Sequence, residues 1–199
     1  MKIGITGSIA CGKSTVSAYL RALGHPVVDA DAISRALTAP GGEALSLLRE
    51  AFGSGVFDGD CLNRRALGAL VFSSDAARAQ LNAILHPMII ARTEQELTAL
   101  DVPDRLVFGD VPLLFECGMQ PQFDRIWVVS ASRETQLARL AERDGLTEAE
   151  AAARIDAQMP LAKKRRLADA VISTEGPIEQ TQAQVRRLLD AISTQRRQP

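Results

Sequence analysis

Gly7-Ser8-Ile9-Ala10-Cys11-Gly12-Lys13-Ser14 is a full match to the phosphate-binding loop pattern: Gly, four residues, Gly-Lys, then Ser or Thr. Lys2-Ile3-Gly4-Ile5-Thr6 ahead of it is short and apolar enough for a buried strand. Ser14 to Leu23 behind it carries Val16, Leu20 and Leu23 at i, i+4, i+7, the period of a helix. The loop is therefore expected between a strand and a helix, the context the pattern requires. Gly7 and Gly12 are expected to turn the backbone with positive φ and to let it approach a ligand closely. Loop amides and the helix N-terminus then face phosphate oxygens, so Gly7, Ala10, Cys11, Gly12, Lys13, Ser14 and Thr15 are the expected nucleotide contacts. Lys13 reaches the β- and γ-phosphates and the Ser14 hydroxyl ligates Mg²⁺.

The rest of the chain agrees with a small-molecule enzyme. Its 199 residues make one domain, or one core with an inserted lobe. Hydrophobic residues are 46% of the total, enough for a substantial core, and the net charge of −1 gives no basic field for nucleic acid. No apolar run reaches the roughly 18 residues of a membrane span, and the chain enters its first strand too soon to leave room for a signal peptide. Cys11, Cys61 and Cys117 are odd in number and widely spaced, which excludes a closed disulfide framework and any metal-ligand spacing. A reducing cytoplasm is the expected compartment. The oligomeric state stays open.

Strand-like runs recur at 3–6, 26–29, 106–110, 125–129 and 170–173, with helical patterns between them. That alternation predicts an α/β fold, a parallel sheet flanked by helices, with ligands beyond the carboxyl ends of the strands. About 75 residues separate the second and third strands, far more than a crossover needs. They read as helices at 43–52, 64–72, 74–85 and 88–100, broken at Gly53-Ser54-Gly55, Ser73-Ser74 and His86-Pro87. We expect a helical substrate-binding insertion at 32–104. A smaller lid is expected at 139–166, and the core is then 1–31, 105–138 and 167–199. Inside the lid, Arg133–Arg143 is one helix, Thr147-x-x-Glu150 is a capping box opening another, and Lys163 to Arg166 is a basic run. The plain alternative is a solvated helical hairpin. Residues 177–192 read as the last helix and 195–199 as a frayed tail.

Two acidic segments fall on the phosphate edge. Val27-Val28-Asp29-Ala30-Asp31 ends a strand in carboxylates at i and i+2, which share a face while the chain stays extended. Asp31 is the candidate base for an acceptor hydroxyl; it is equally an N-cap for a helix 32–37, with Arg35 as an exposed ion-pair partner. Asp110 ends an apolar strand, either orienting Mg²⁺ through water or capping a turn. His86 before Pro87 reads as structural, Trp127 as core, and Cys11 as a thiol whose neighbours can lower its pKa.

These residues together resemble the dephospho-CoA kinase family over nearly the whole chain. The loop alone is common to many NTPases. More specific are Asp29-Ala30-Asp31 with Ile33-Ser34-Arg35, Leu62-Asn63-Arg64-Arg65, Leu81-Asn82-x-Ile84-x-His86-Pro87 and Val111-Pro112-Leu113-Leu114-Phe115-Glu116. Gln136 to Arg143, Arg154-Ile155-x-x-Gln158-Met159-Pro160 and Ala168-Asp169-x-Val171-Ile172 match as well. The resemblance implies transfer of the γ-phosphate of ATP to the ribose 3′-hydroxyl of dephospho-CoA, with Mg²⁺. It implies Asp31 as base, and Arg35, Arg64, His86, Leu113 and Glu116 around the acceptor. Arg139, in a catalytic role, and Arg143, at the nucleotide, would act from the lid. The chain departs from the family at Ser8 and Ala10, where glycine is usual and negative φ is expected, and at Ser173-Thr174-Glu175, where Asn is frequent. The competing readings are a shikimate- or gluconate-type kinase and a non-transferring regulatory NTPase; no Asn-Lys-x-Asp guanine-reading segment is present.

Overall fold

The computed structural model describes residues 1–196, and 197–199 lie outside it. Two compact units emerge, one of Met1–Val28 with the chain from Ala99 on, the other Asp29–Thr98.

The first unit is built on a five-stranded sheet of β1 (Lys2–Gly7), β2 (Val27–Asp29), β5 (Val107–Asp110), β6 (Arg125–Ser130) and β7 (Ala170–Ser173). Their order is β2-β5-β1-β6-β7, with β1 parallel to both neighbours and β6 parallel to β7. Ile3 and Ile5 have no exposed surface, as expected of a strand covered on both faces. β1 lies between β5 and β6, so the chain must run to one side of it and then return to the other. That switch opens a crevice at the carboxyl end of β1, where the phosphate loop begins. The register sets Ile5 beside Asp110 and Gly7 beside Val129, so Asp110 reaches the same edge.

α1 (Lys13–Ala22) and α9 (Ile178–Arg196) pack on this sheet through Val16, Leu20, Val185 and Ile192. Trp127 is core, as expected, with its ring 5.5 Å from that of Phe108. α6 (Arg133–Asp144), α7 (Glu148–Asp156) and α8 (Leu161–Arg166) follow β6. The capping box opening α7 forms as read, Thr147 with Glu150, and Gly145 ends α6 at φ 65°. Gln195 and Arg196 continue α9 instead of fraying; the remainder of the expected tail falls on the residues not described.

The second unit holds α2 (Ala30–Leu37), α3 (Leu45–Phe52), α4 (Arg64–Ser73), most of α5 (Asp75–Leu100) and a two-stranded hairpin, β3 (Phe57–Asp58) with β4 (Cys61–Leu62). Two expectations fail here. The chain does not break at His86-Pro87: α5 is a single helix of 26 residues with Pro87 inside it. Proline deletes one backbone donor and strains one turn, a local penalty of about 3 kcal/mol that the flanking turns outweigh. The hairpin was not expected, although its two-residue turn, Gly59-Asp60, is a hairpin signal and Gly59 takes φ 60°.

Candidate active site

The loop from Gly7 to Gly12 turns all six of its carbonyls onto named donors. Lys164 Nζ donates to Gly7 O at 3.0 Å and Gln136 Nε2 to Ile9 O at 2.6 Å. Arg139 Nη1 donates to Ala10 O at 3.2 Å and Thr174 Oγ1 to Cys11 O at 2.8 Å. Local amides close the set, Cys11 N on Ser8 O and Thr15 N on Gly12 O. Ile9 N is drawn away as well, onto Gln158 Oε1 at 2.8 Å, which also accepts from the Ser8 hydroxyl. The amides of Ala10, Gly12 and Ser14 have no acceptor among the described residues, and that of Lys13 meets only the Cys11 sulfur. Oxygens held outward and N–H groups left over at a helix start make an anion nest.

Backbone conformation corrects the sequence reading in detail. Gly12 has positive φ (83°), as expected, but Gly7 does not. Gly7 is required for space: a Cβ there would collide with Cys11 Sγ and lie 2.6 Å from Val129 O. The second left-handed position is Ala10, at φ 58°, against the expected negative φ. A side chain there costs about 1 kcal/mol, and the bonds on Ile9 and Ala10 hold it in place. Cys11 is also corrected. It is buried, and burial pushes its thiol up despite the opposing pull of the Lys13 amide and charge. It is a packing residue of the loop, not an activated thiol.

Lys13 contacts the Asp110 carboxylate, whose other oxygen accepts from Ser17 Oγ at 2.6 Å. Asp110 is buried and so reads as neither a turn nor a surface cap. Ser14 is exposed on the first turn of α1, and its hydroxyl has no partner among the described residues. A cavity of about 630 Å³ opens beside the loop, lined by Gly12, Ser14, Thr15, Arg139, Arg143 and Thr174 among others. Its size is that of a small-molecule site.

The arginines expected on a lid are committed to the protein. Arg139 spans from Ala10 O to Thr174, donating to Thr174 O at 2.7 Å and to its hydroxyl at 3.1 Å. Arg143 pairs side-on with Asp144, at 2.8 and 2.9 Å. Within the basic run, Lys164 is buried, contrary to a solvated or lid-borne charge. Thr174, noted above only as a family departure, carries the Cys11 carbonyl and receives Arg139. Glu175 accepts from Ser132 N and from Thr135 Oγ1, which hold its carboxyl below the usual range. That carboxylate braces the start of α6. In the segment after β5, Leu113 is half-buried, and Glu116 accepts from Met159 N at 3.0 Å and pairs with Lys164 at 2.8 Å.

The remaining candidates belong to the second unit. The N-cap of α2 is Asp29, accepting from Ala32 N at 3.0 Å, so the helix opens at Ala30 and not at Ala32. Asp29 and Asp31 therefore do not share the face of an extended strand. Asp31 is exposed in the first turn of α2, and Arg35 is exposed one turn later. Arg64, at the start of α4, donates to Arg35 O at 3.2 Å and to Thr38 Oγ1 at 2.8 Å, tying α4 to α2. His86 lies mid-way along α5, half-buried.

A nest at the switch point of a parallel sheet, a lysine at its end and a buried aspartate beside that lysine define a P-loop nucleotide-dependent phosphotransferase. Comparison with known proteins narrows the class. The chain belongs to the dephospho-CoA kinase family, whose profile matches residues 1–180. Dephospho-CoA kinase of Geobacillus kaustophilus is 46% identical over 192 residues, covering 95% of each chain. That of Anaeromyxobacter dehalogenans is 46% identical over 189 residues, 94% of this chain and 90% of its own. Among solved structures, dephospho-CoA kinase from Campylobacter jejuni superposes with a TM-score of 0.74 at 28% identity, covering 98% of this chain and all of its own. Shikimate kinase from Aquifex aeolicus, at 16% identity and a TM-score of 0.55, shares the fold alone. The family consists of phosphotransferases acting on a hydroxyl group, in the final step of coenzyme A synthesis. Neither the shikimate- or gluconate-type reading nor the regulatory NTPase is favoured by these matches.

Proposed function

We propose that this chain moves the γ-phosphoryl group of ATP to the ribose 3′-hydroxyl of dephospho-CoA, giving CoA and ADP. The observation that carries the reading is the phosphate loop, with its six carbonyls turned onto donors and the amides of Ala10, Gly12 and Ser14 left for phosphate oxygens. In-line transfer needs little covalent help from the protein; it needs positioning and charge stabilisation. Lys13 follows the charge onto the β- and γ-oxygens, and Arg139, beside Ala10, adds a second cation at the nucleotide. Arg143 lines the same cavity, where the nucleoside would lie.

Asp31 accepts the proton of the 3′-hydroxyl as that oxygen bonds to the γ-phosphorus and the bond to the β–γ bridging oxygen breaks. Support comes from Asp29, which supplies the cap of α2, so that capping does not account for Asp31. Arg35, Arg64 and His86 in the helical unit, with Leu113 and Glu116 after β5, are the acceptor-side residues. Dephospho-CoA is anionic, which suits the two arginines.

The residues fit Mg²⁺ held mainly by phosphate and water. No cluster of three His, Cys, Asp or Glu side chains among the described residues can cage a metal, whereas the Ser14 hydroxyl is exposed and Asp110 stands next to Lys13. Ser14 would ligate the ion directly and Asp110 through water; when bound, the ion neutralises charge on the transferring phosphoryl. The compartment we infer is the cytoplasm. Cys11, Cys61 and Cys117 form no disulfide, and no described helix is long and apolar enough to cross a membrane.

The test is acceptor-dependent ADP formation with Mg-ATP, comparing dephospho-CoA, adenosine, shikimate and gluconate. ADP formed with dephospho-CoA alone is the expected result. ADP formed only with another acceptor discards the substrate but keeps the class, and ADP formed without any acceptor restores the regulatory NTPase.

A further inference from the structure

Lys164 has no exposed surface, while Lys163, Arg165 and Arg166 on either side face solvent. The helical period of α8 selects this one side chain of the basic run and turns it inward. The ammonium donates to Gly7 O at 3.0 Å and to Pro112 O at 3.2 Å, and its charge is paired with Glu116 Oε1 at 2.8 Å. Burying such a charge is costly unless it is paired and fully hydrogen-bonded, and a packed apolar residue generally serves stability as well or better. The location of the acceptors therefore matters more than the stability gained. Gly7 is the first residue of the phosphate loop, whereas Pro112 and Glu116 belong to the segment after β5. Thr6 Oγ1 reaches the same Pro112 carbonyl at 3.0 Å, and Met159 N the same Glu116 carboxylate. One buried cation thus sets the position of the phosphate loop against the 112–116 segment.

We propose that Lys164 is a positioning residue for the transfer. It keeps the Gly7 carbonyl turned away from the phosphates and locks the loop to the Pro112–Glu116 segment, so that nucleotide and acceptor are aligned together. Without the ammonium, the Gly7 carbonyl loses its donor, whereas the Pro112 carbonyl keeps Thr6 Oγ1 and the Glu116 carboxylate keeps Met159 N. The least costly relief is rotation of the Gly7 peptide, which turns an oxygen toward the nest. The acceptor half of this inference rests on the proposed role of Glu116.

Three variants separate these parts: Lys164→Met, which keeps the stem and loses the charge; Lys164→Arg, which keeps charge and donors; and Glu116→Gln. ATP affinity by calorimetry, kcat and KM for both substrates, and melting with and without ATP are the readouts. Lys164→Met should weaken ATP binding about tenfold or more and lower kcat by a similar factor, the scale of losing hydrogen bonds to a charged group. Lys164→Arg should recover most of both, which a purely space-filling role would not predict. Glu116→Gln should raise KM for dephospho-CoA while leaving ATP affinity within about twofold, below the scale of one lost hydrogen bond. A folded Lys164→Met protein with wild-type ATP affinity and kcat overturns the proposal. If that variant does not fold, Lys164→Arg and Glu116→Gln decide: unchanged acceptor KM in Glu116→Gln overturns the coupling, and a folded Lys164→Arg as impaired as an empty loop overturns the positioning. If the wild type makes no ADP with dephospho-CoA, the substrate reading fails, and the ATP affinities still judge the loop.

Discussion

The phosphate loop and the helical unit Asp29–Thr98 are held by different physics. In the loop, six consecutive carbonyls have individual donors, four of them side chains from residues far away in the chain. In the helical unit, α5 runs for 26 residues and buries only Thr93 and Leu97, α4 buries only Leu67, and Phe72 is 86% exposed. Directional polar bonds fix orientation, whereas a narrow apolar stripe fixes only contact. An anion nest fails when a single peptide rotates, so it must be over-determined. The helical unit, proposed to hold a large and flexible acceptor, has no such need, and thinly packed elements occupy the low-stability end of a structure. On the proposed reading the chemistry is divided in the same way, charge stabilisation at the loop and the base on the sparsely packed unit.

The largest effect that can break this division is at Asp31. Asp31→Asn should lower turnover about 10²–10⁴-fold with ATP affinity little changed, measured as dephospho-CoA-dependent ADP formation. Full activity would return all of the chemistry to the loop. Next, Lys13→Ala should cost about 10²–10³-fold in turnover, the scale of losing one preorganised donor. A near-wild-type rate would remove the loop from the mechanism. Thr174→Val sharpens the contrast without removing a charge: it keeps the shape, strands the Cys11 carbonyl and takes one acceptor from Arg139. We expect a loss of about 1–3 kcal/mol in denaturant unfolding, together with weaker ATP binding. No change in either would mean that the carbonyl donors are redundant. Smallest is Ala10→Gly. Relief of about 1 kcal/mol of left-handed strain is offset by about 0.4–1 kcal/mol of added unfolded-chain entropy, so the melting temperature should rise by no more than about 2–4 °C. A clear fall would mean that the Ala10 methyl group contributes packing beyond its backbone cost.

Much of the first unit was legible because its signals are short-ranged. A Gly-Lys-Ser ending between an apolar strand and an amphipathic helix, a Thr147–Glu150 capping box and five apolar runs are all read within a dozen residues. Two errors were local as well. Proline at 87 was read as a boundary because one lost hydrogen bond is visible in sequence and the support of the flanking turns is not. The alternative reading of Asp31 as the cap of α2 fails because either aspartate suits the start of a helix and Asp29 is the one that caps it. Gly59-Asp60, by contrast, is a hairpin signal legible in the sequence.

The sequence by itself determined the strand–loop–helix unit and the parallel sheet, which rest on patterns between neighbours in the chain, and the family, which rests on motifs shared along nearly all of it. Only the tertiary structure decided that Ala10 is left-handed, that Cys11 is packed and its thiol pushed up, and that Lys164 alone among four basic residues is buried. It also decided that Gln136, Gln158, Arg139 and Thr174 hold the loop. The reason is physical: a hydrogen bond between residues more than a hundred positions apart leaves no period and no spacing in the chain, and becomes visible only when the sheet brings its partners to one edge.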